Sequence, residues 1–426
     1  MTLRIIIVGA GIAGLCSAIA LRRAGHVVQI FEKSHFKTEI GAAVALAPNG
    51  VHVLEDIGFD FERARACRLE LWAVVDGLSL DRIASQNLDD IGNLAGAQFW
   101  TIHRVDLHKE LLKLALDEDT AEHYGHHPVK IHYGSSVRAV DAKKGCVFLE
   151  DDSIHQADLI IGADGINSTV RQSVVPRSTD PISTGMSAFR FLIPSEAFRK
   201  SPNLERVLRQ KNDGSTLLVG TKNIMEERHM VWYKCRGGDV QNFVGIHPTR
   251  NHPSESGTID FKSEMIEEFG HFNPIVNEMI KLADDVKCWP LVIHEPLESW
   301  VFNKVLLIGD AAHAMLPFGG QGANQAIEDA GAMGVLFKEM TSKKELPTRL
   351  SIFEMVRIKR ASRVQILSQV RVGKEKEVEG KLRQYMEPDM SVPNTFGTRL
   401  AHDAGYNVLE ECAKELENTT NRYNKE

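Results

Sequence analysis

Three glycines and one carboxylate near the start of this 426-residue chain have the spacing of a nucleotide-binding turn. Gly9 permits a sharp turn after a strand, Gly11 lets the backbone approach a pyrophosphate, and Gly14 lets the next helix pack closely. Free N–H groups at the start of that helix would face the anion. Glu32 ends the next predicted strand, where its carboxylate could accept hydrogen bonds from both ribose hydroxyls. The predicted nucleotide site also contains two neighbouring residues, Ala13 and Lys33.

The elements around this turn follow in the order of a βαβ unit. The sequence predicts a strand over residues 5–8, an apolar helix over about 13–23, and a second strand over 27–31. The alternative is an ordinary α/β turn in which the glycines serve packing only. Because Glu32 would repel a 2′-phosphate, this site disfavours NADP, whereas FAD and NAD both remain open.

Two later segments place polar groups at predicted helix starts. Arg104 stands just before an amphipathic helix in residues 101–116, and a solvated surface arginine is the alternative. In residues 157–174 a buried strand is followed by Asp164 and Gly165, and a nearby serine is placed to cap the helix that follows.

A third segment, LLIGDAAHAMLPFGGQGANQAIEDA in residues 306–330, predicts a second glycine-rich helix start. A buried strand ends at Gly309 and Asp310, and a loop that contains Pro317 runs into the helix.

Together these segments resemble the flavin-dependent aromatic hydroxylases, the single-component FAD monooxygenases that include salicylate hydroxylase and p-hydroxybenzoate hydroxylase. The resemblance covers roughly residues 1–370 and rests on GAGIAG with Glu32, HRVDL with Arg104, GADGINSTVR and GDAAHAMLPFGGQGANQAIEDA. The salicylate hydroxylase branch is the most similar, because of APNG, EPLESWVFNKVLLIGDAAH and QGANQAIEDA. The combination is more specific than any one motif.

The resemblance implies one FAD, bound in an extended form. Its ADP half would lie on the first turn and Glu32, while Arg104 would face the pyrophosphate and the flavin. Asp310 would hold a hydroxyl of the ribityl chain. In this family the Asp164-Gly165 motif touches both the FAD and the path of the nicotinamide cofactor, so no second Rossmann fold is expected for NAD(P)H.

The second glycine-rich start has little side-chain bulk, so a planar ring could lie against it with N1 and the C2 carbonyl facing free N–H groups. The helix dipole would stabilise the negative charge of reduced flavin by about 0.3–2 kcal/mol. The alternative is that the small residues only let the helix pack on the sheet. We interpret His313 as a brace for the loop rather than as a catalytic base. The remaining expected cofactor contacts are Ala45, Pro317, Gly320, Gly322, Ala323 and Asn324, the last as a further donor.

Residues 181–290 break the dinucleotide pattern and read as antiparallel strands, which could cover the flavin and form a dry pocket. Arg190 resembles an arginine that many family members carry on this strand, and Tyr233 falls where several have a polar group over the flavin. A cation there could hold a phenolate or carboxylate and lower the pKa of a bound phenol. The alternatives are a surface salt bridge for Arg190 and a core tyrosine for Tyr233. With Pro317, which would shape the oxygen-reacting side of the ring, these are the expected catalytic residues.

The predicted fold class is α/β, α+β overall: a Rossmann-like FAD-binding domain, an inserted and mostly antiparallel β-sheet substrate domain, and a C-terminal helical region. The tail could lie on the domain or contact another subunit. The expected limits are 1–75, 101–180 and 285–370 for the FAD-binding domain, 76–100 and 181–284 for the substrate domain, and 371–426 for the tail.

The composition points to small-molecule partners. With 50 Lys and Arg against 57 Asp and Glu, the chain has a formal charge of −7 and shows neither a nucleic-acid footprint nor a polybasic membrane patch. Six scattered cysteines without a CxxC pair argue against disulfides and zinc and fit a reducing cytoplasm. The uncharged residues 5–21 fit a nucleotide fingerprint better than a signal sequence or membrane span. A homodimer is the expected assembly.

The resemblance implies a reaction in which NAD(P)H reduces the flavin, O₂ adds at C4a to give the hydroperoxide, and an electron-rich ring attacks its distal oxygen. The expected substrate is phenolic or benzoate-like. One alternative is a monooxygenase of secondary metabolism that epoxidises or dearomatises a larger indole alkaloid or polyketide. Another is a flavin-binding redox module without turnover. An NAD-dependent dehydrogenase is disfavoured by the second glycine-rich start.

Overall fold

The computed structural model describes residues 1–35, 42–117, 127–175, 181–210, 214–220, 228–251 and 259–423. Its strands, in chain order, are β1 (Arg4–Val8), β2 (Val27–Glu32), β3 (Ala43–Leu46), β4 (Cys67–Arg68), β5 (Leu71–Asp76), β6 (Arg82–Asn87), β7 (Trp100–His103), β8 (Lys130–Tyr133), β9 (Val137–Asp141), β10 (Cys146–Leu149), β11 (Ile154–Gln156), β12 (Leu159–Gly162), β13 (Ile182–Pro194), β14 (Gly214–Val219), β15 (His229–Cys235), β16 (Val240–Pro248), β17 (Lys287–Ile293), β18 (Val301–Phe302) and β19 (Val305–Leu307).

The α-helices of the described residues are α1 (Ile12–Arg23), α2 (Pro48–Asp56), α3 (Leu88–Ala95), α4 (Arg104–Leu116), α5 (Ser195–Phe198), α6 (Pro202–Gln210), α7 (Phe261–Phe269), α8 (Pro274–Lys281), α9 (Asp310–His313), α10 (Gly322–Leu336), α11 (Leu346–Leu367), α12 (Glu379–Leu382), α13 (Phe396–Ala404) and α14 (Val408–Tyr423). No helix in these ranges is long and apolar enough to cross a membrane.

A six-stranded sheet in the order β18-β19-β12-β1-β2-β8 forms the nucleotide-binding half. Its strands pair in parallel except β18, which pairs antiparallel with β19 at one edge. The apolar run of β1 is buried in a core that it shares with α1 and with Val147 and Leu149 of β10. The βαβ unit predicted from the first glycine turn is therefore confirmed as β1, α1 and β2.

A seven-stranded sheet in the order β17-β13-β16-β15-β14-β5-β6 forms the second half. It is antiparallel except between β14 and β5. Alternation along β13 sends Phe189, Phe191 and Ile193 into a core with α7 and α8, and leaves Ala188 and Arg190 on the opposite face. The predicted domain limits stay a prediction. Strands β5 and β17 lie close to the predicted limits at residues 75 and 285, and both strands pair within this sheet.

The C-terminal region is helical and lies on the rest of the chain. Helix α14 packs against α10 and α11, and α13 packs against α3 and α2. Of the two placements considered for the tail, contact with the domain is therefore observed.

Two local predictions need correction. The helix expected after the Asp164 motif is a 3₁₀ helix of four residues, Val170–Ser173. Asp310, expected at a strand end, instead begins the one-turn helix α9, because β19 already ends at Leu307.

Candidate cofactor and acceptor site

The first glycine turn leaves room for a ligand at one of its three glycines. Gly9 has φ +103°, and a β-carbon there would lie 2.5 Å from the carbonyl oxygen of Ala163. A β-carbon on Gly14 would lie 2.0 Å from the carbonyl oxygen of Gly9. One on Gly11 would meet nothing within 4 Å. Gly9 and Gly14 therefore serve packing, while Gly11 faces the open space in which a pyrophosphate would lie.

Glu32 is held beside this turn by two backbone donors. One carboxylate oxygen accepts from the N–H of Ala10 at 2.7 Å, and the other accepts from that of Ser34 at 2.7 Å. The side chain is 8% exposed, and each oxygen retains a lone pair for a ribose hydroxyl. Lys33 next to it is exposed.

The two glycine-rich stretches meet at the ends of β1 and β19. A β-carbon on Gly309, where φ is +56°, would lie 2.9 Å from the β-carbon of Ala13. The helices α1 and α10 that follow the two stretches also pack together. The structure therefore brings both expected cofactor segments into one cleft.

Asp164 acts as a cap within its motif. Its carboxylate accepts from the Ser168 hydroxyl at 2.5 Å and from the N–H groups of Thr169 and Val170 at 2.7 and 3.1 Å. Gly165 has φ +80°, and a β-carbon on it would meet nothing within 4 Å. The motif thus presents backbone at Gly165 to open space, and its carboxylate holds the turn.

Arg171 joins this motif to the second glycine-rich stretch. Its guanidinium donates to the carbonyl oxygens of Ile166, Asp310 and Ala311 at 3.0, 3.0 and 2.7 Å. Sequence reasoning placed Arg171 on the capped helix but gave it no role. Its partners Asp310 and Ala311 lie 139 and 140 positions further along the chain, so no local sequence pattern could have revealed these bonds.

Asp310 lies inside the cleft formed by these segments. Its carboxylate is exposed to solvent, yet burial by the surrounding protein raises its pKa, and the positive charges of Arg104 and Arg171 oppose that rise. An acceptor that is open to water but enclosed by protein suits a ligand hydroxyl.

Two guanidinium groups near this cleft make no ion pair with a described residue. Arg104, at the start of α4, is exposed, whereas Arg190 on β13 is half-buried and lies 6.0 Å from the ring centre of Trp289. Burial lowers the pKa of Arg190, Tyr233 opposes that effect, and Arg104 adds to it. Two guanidinium groups that form no ion pair with a carboxylate of the described residues favour anionic ligands.

The face of the seven-stranded sheet that carries Arg190 packs against the Pro317 loop. Ala188, Val244 and Ile246 on this face form an apolar cluster with Leu316 and Phe318. In the register of β13, β16 and β15, Arg190 pairs with Val244, and Val244 with Val231. Arg190 therefore projects from a largely apolar roof over the loop.

Tyr233 and Asn242 on the same face hold the backbone of β3. The Tyr233 hydroxyl donates to the carbonyl of Ala43 at 2.8 Å. The side-chain oxygen of Asn242 accepts from the backbone N–H of Ala43 at 3.0 Å. Tyr233 is 8% exposed, and burial raises its pKa. Its hydroxyl is thus engaged by protein, and its expected contact with substrate stays a prediction.

The second helix start is open, as a flavin ring requires. Residues Pro317–Gly319 form a 3₁₀ turn, and β-carbons on Gly320 and Gly322 would meet nothing within 4 Å. The first helical bond joins the N–H of Gln325 to the carbonyl of Gln321 at 2.8 Å. The preceding N–H groups, those of Gly322, Ala323 and Asn324, therefore have no helical acceptor.

The Asn324 side chain is hydrogen-bonded within the protein. Its amide nitrogen donates to the carbonyls of Ala45 and Gly320 at 3.1 and 3.0 Å, and its oxygen accepts from the N–H of Ala47 at 2.9 Å. Both amide hydrogens are engaged, so the amide fixes β3 against the loop, and the backbone N–H is what this residue offers a ligand.

A buried ionic network lies behind this helix start and was not anticipated. Asp329 accepts from the N–H of Gly309, from His313 at 2.7 Å and from Arg357 at 2.8 Å. Glu328 pairs with Arg357 and, at 3.0 Å, with Arg360. Burial raises the pKa of Glu328, but the two arginines outweigh it and hold that pKa below its usual value. His313 is buried and braces the loop, as interpreted from the sequence.

Three comparisons place these observations among known proteins. A family model described as FAD binding domain matches residues 2–366. Hispidin-3-hydroxylase of Neonothopanus nambi is 33% identical over 378 residues, covering 84% of this chain and 86% of that protein. FAD-dependent monooxygenase cfoG of Aspergillus candidus is 34% identical over 421 residues, covering 96% and 94%.

Among solved structures, Klebsiella pneumoniae HpxO complexed with FAD and uric acid has a TM-score of 0.74 at 23% identity, covering 96% of this chain and 97% of that one. The likeness confirms the predicted fold class.

Proposed function

Because this chain belongs to the FAD-binding family of FAD-dependent monooxygenases, we propose that it uses NAD(P)H and O₂ to hydroxylate an aromatic substrate of phenolic or benzoate-like type. Membership of the family confirms the resemblance seen in the sequence and makes FAD the cofactor.

One observation carries the choice of acceptor. Arg190 is a half-buried cation without an acidic partner among the described residues, and it lies on the sheet face whose apolar residues pack against Leu316 and Phe318. An aromatic ring fits apolar walls, and a phenolate or carboxylate on that ring would pair with the guanidinium.

The residues of the chain divide the work of holding the FAD. Backbone N–H groups near Gly11 would donate to the pyrophosphate. The Glu32 carboxylate would accept hydrogen bonds from the ribose hydroxyls, and the Asp310 carboxylate would accept one from a ribityl hydroxyl. Arg104 would face the pyrophosphate and the ring. The open N–H groups at the start of α10 would face N1 and the C2 carbonyl. When bound, FAD supplies the transfer of electrons from NAD(P)H to O₂.

The acceptor side depends on charge and on the exclusion of water. The Arg190 guanidinium would favour the ionised form of a bound phenol, which lowers its pKa and raises the electron density of its ring carbons. Phe318, Val231 and Val244 would exclude water around the ring. Pro317 would shape the loop beside the reacting oxygen, and Tyr233 would hold β3 or the acceptor.

A turnover screen tests this proposal. Purified protein with bound FAD is supplied with NADH or NADPH and with phenolic acids, neutral phenols or indoles, while O₂ uptake and product mass are followed. We expect phenolic acids to stimulate nicotinamide oxidation and to gain one oxygen atom. Failure of every small phenol would contradict the proposed acceptor. Bound flavin without stimulation by any compound would favour a redox module.

A larger acceptor from secondary metabolism is the second candidate. It is favoured by the two fungal relatives, one of them named for hydroxylation of hispidin, at 33 and 34% identity. Stimulation by polyketide or indole substrates, with small phenols inactive, would identify it.

The choice of nicotinamide and the assembly belong to the same proposal. The screen gives the ratio of NADH to NADPH use directly. We further propose a homodimer, which light scattering on the eluted protein would test against a monomer.

A further inference from the structure

The C-terminal segment from Arg371 to Asp403 lies beyond the match to the family model, which ends at residue 366. The segment nevertheless reaches the loop of residues 317–320. A β-carbon on Gly319 would lie 3.4 Å from Nη2 of Arg399 and 3.8 Å from Oδ2 of Asp403. It therefore contacts the loop against which the flavin ring is expected to lie.

Arg399 is enclosed by two carboxylates but is not fully bonded by them. Its Nε lies 3.3 Å from Oδ2 of Asp403, and its Nη1 lies 3.4 Å from Oε1 of Glu375. Charge-assisted bonds usually measure about 2.7–2.9 Å, so both contacts are long. The side chain is 4% exposed. Nη2, which faces Gly319, makes no hydrogen bond to any residue that the structure describes.

The Arg399 cluster is continuous with the ionic network behind the second helix start. Arg360 donates to the carbonyls of His402 and Asp403 at 3.0 and 2.6 Å. The same guanidinium pairs with Glu328 of α10 at 3.0 Å. One connected set of charges therefore supports the loop from α10 and from the C-terminal segment.

A charge of the same segment acts on a side chain beside this loop. Burial and, to a lesser extent, the positive charge of Arg371 lower the pKa of His229 to about 3. The His229 ring centre is 5.6 Å from that of Phe318 in the loop.

The apolar side of α13 fixes the position of Arg399. Leu400 and Ala404 pack with Ala47, whose N–H donates to Asn324 in α10. The helix that carries Arg399 is therefore anchored to elements that surround the cofactor cleft.

We propose that Arg399 is a positioning residue of the cofactor site, which holds the Pro317–Gly320 loop in the arrangement that accepts FAD. The proposal concerns FAD alone and does not depend on the acceptor. Arg399 could prove to have no effect on FAD binding while the enzyme turns over phenols. Equally, Arg399 could control FAD binding while no phenol is turned over.

The test is the dissociation constant of FAD, measured by fluorescence titration of the full-length apoprotein below the melting temperature of every variant. Arg399→Met should raise the dissociation constant of FAD about tenfold. This is the effect expected if the loop has the arrangement that binds FAD in only about one molecule out of ten. Arg399→Lys, which keeps the charge, should recover part of the loss. Arg383→Met, in an exposed pair with Glu379 on the same segment, is the matched control and should bind as the wild type does.

The result that would overturn the proposal is a lower melting temperature for Arg399→Met with the same FAD affinity and the same visible circular dichroism of the bound flavin. If Arg399→Met does not fold, Glu375→Gln tests the same cluster, because it removes the charge of one of the two carboxylates that enclose Arg399. FAD affinity should then fall, whereas Glu377→Gln, in an exposed pair with Lys374 on the same segment, should not change it. Equal affinity in both glutamine variants also overturns the proposal.

Discussion

Replacing Arg357 with methionine should destabilise the protein strongly, because this arginine is fully buried between two carboxylates. Its guanidinium bonds Asp329 at 2.8 Å and also pairs with Glu328, and both acids are completely buried. Methionine keeps most of the volume but leaves Arg360 as the arginine that faces the two carboxylates. Breaking a buried pair from one side costs about 3–5 kcal/mol, and we expect a loss of that size.

Urea unfolding of the apoprotein measures this loss, with Arg383→Met as the control. The control removes an exposed pair and should change the free energy of unfolding by less than about 0.5 kcal/mol. The double variant Arg357→Met, Asp329→Asn should recover part of the loss, because Asp329 is the carboxylate that Arg357→Met leaves without an arginine. A single-variant loss below about 1 kcal/mol would refute the reasoning, since Arg360 would then suffice to balance both carboxylates.

The loss should also depend on pH, and its sign follows from the direction of the shifts. In the wild type the arginines hold the pKa of Glu328 below its usual value despite burial, so this group stabilises the fold at neutral pH and loses that effect in acid. Without Arg357, one of the two arginine charges that oppose burial is lost, so the folded-state pKa of Glu328 is higher in the variant than in the wild type. The difference between variant and wild type should therefore be largest near neutrality and shrink as the pH falls through the folded-state pKa of the variant.

Three further predictions concern single side chains. Arg190→Met should reduce kcat/KM for an anionic phenol about ten- to hundredfold, the cost of a charged hydrogen bond of about 1.5–3 kcal/mol, while a neutral phenol loses less in the same assay. Tyr233→Phe leaves the Ala43 carbonyl without its protein donor and should lower the free energy of unfolding by about 1–3 kcal/mol, with KM for the acceptor unchanged. A raised KM without a loss of stability would instead show that Tyr233 contacts the substrate. The Thr341 hydroxyl and then Arg349 lower the pKa of Glu345 to about 2, so Glu345→Gln should destabilise the protein at neutral pH. Urea unfolding should show this difference shrink as the pH falls from about 5 to about 2.

The local elements of the nucleotide half could be predicted from the sequence because their patterns are short. The strand, glycine turn and helix at residues 4–23 are set by neighbours within one βαβ unit. The alternation in β13 and β15 likewise predicted antiparallel strands before their partners were known.

The ionic supports of the site could not be predicted in this way. Arg357 and Arg360 lie in a helix whose alternating charges suggest a solvated face, and they are buried only because Glu328 and Asp329 come from another helix. Asn324 has a glycine-rich context that suggests a ligand donor, yet its partners Ala45 and Ala47 lie almost 280 residues earlier. Each role depends on a contact that no local period encodes.

The contact between Gly309 and Ala13 has a consequence for the choice between two flavins. A β-carbon on Gly309 would lie 2.9 Å from that of Ala13, so close backbone packing sets a fixed separation between the turn proposed for the phosphates and the segment proposed for the ring. FMN carries the same ring and ribityl chain but lacks the adenosine half, so it would engage Asp310 and the start of α10 while leaving Glu32 without its ribose. On this proposal the site would distinguish FAD from FMN by length, and the ring would contribute nothing to that distinction.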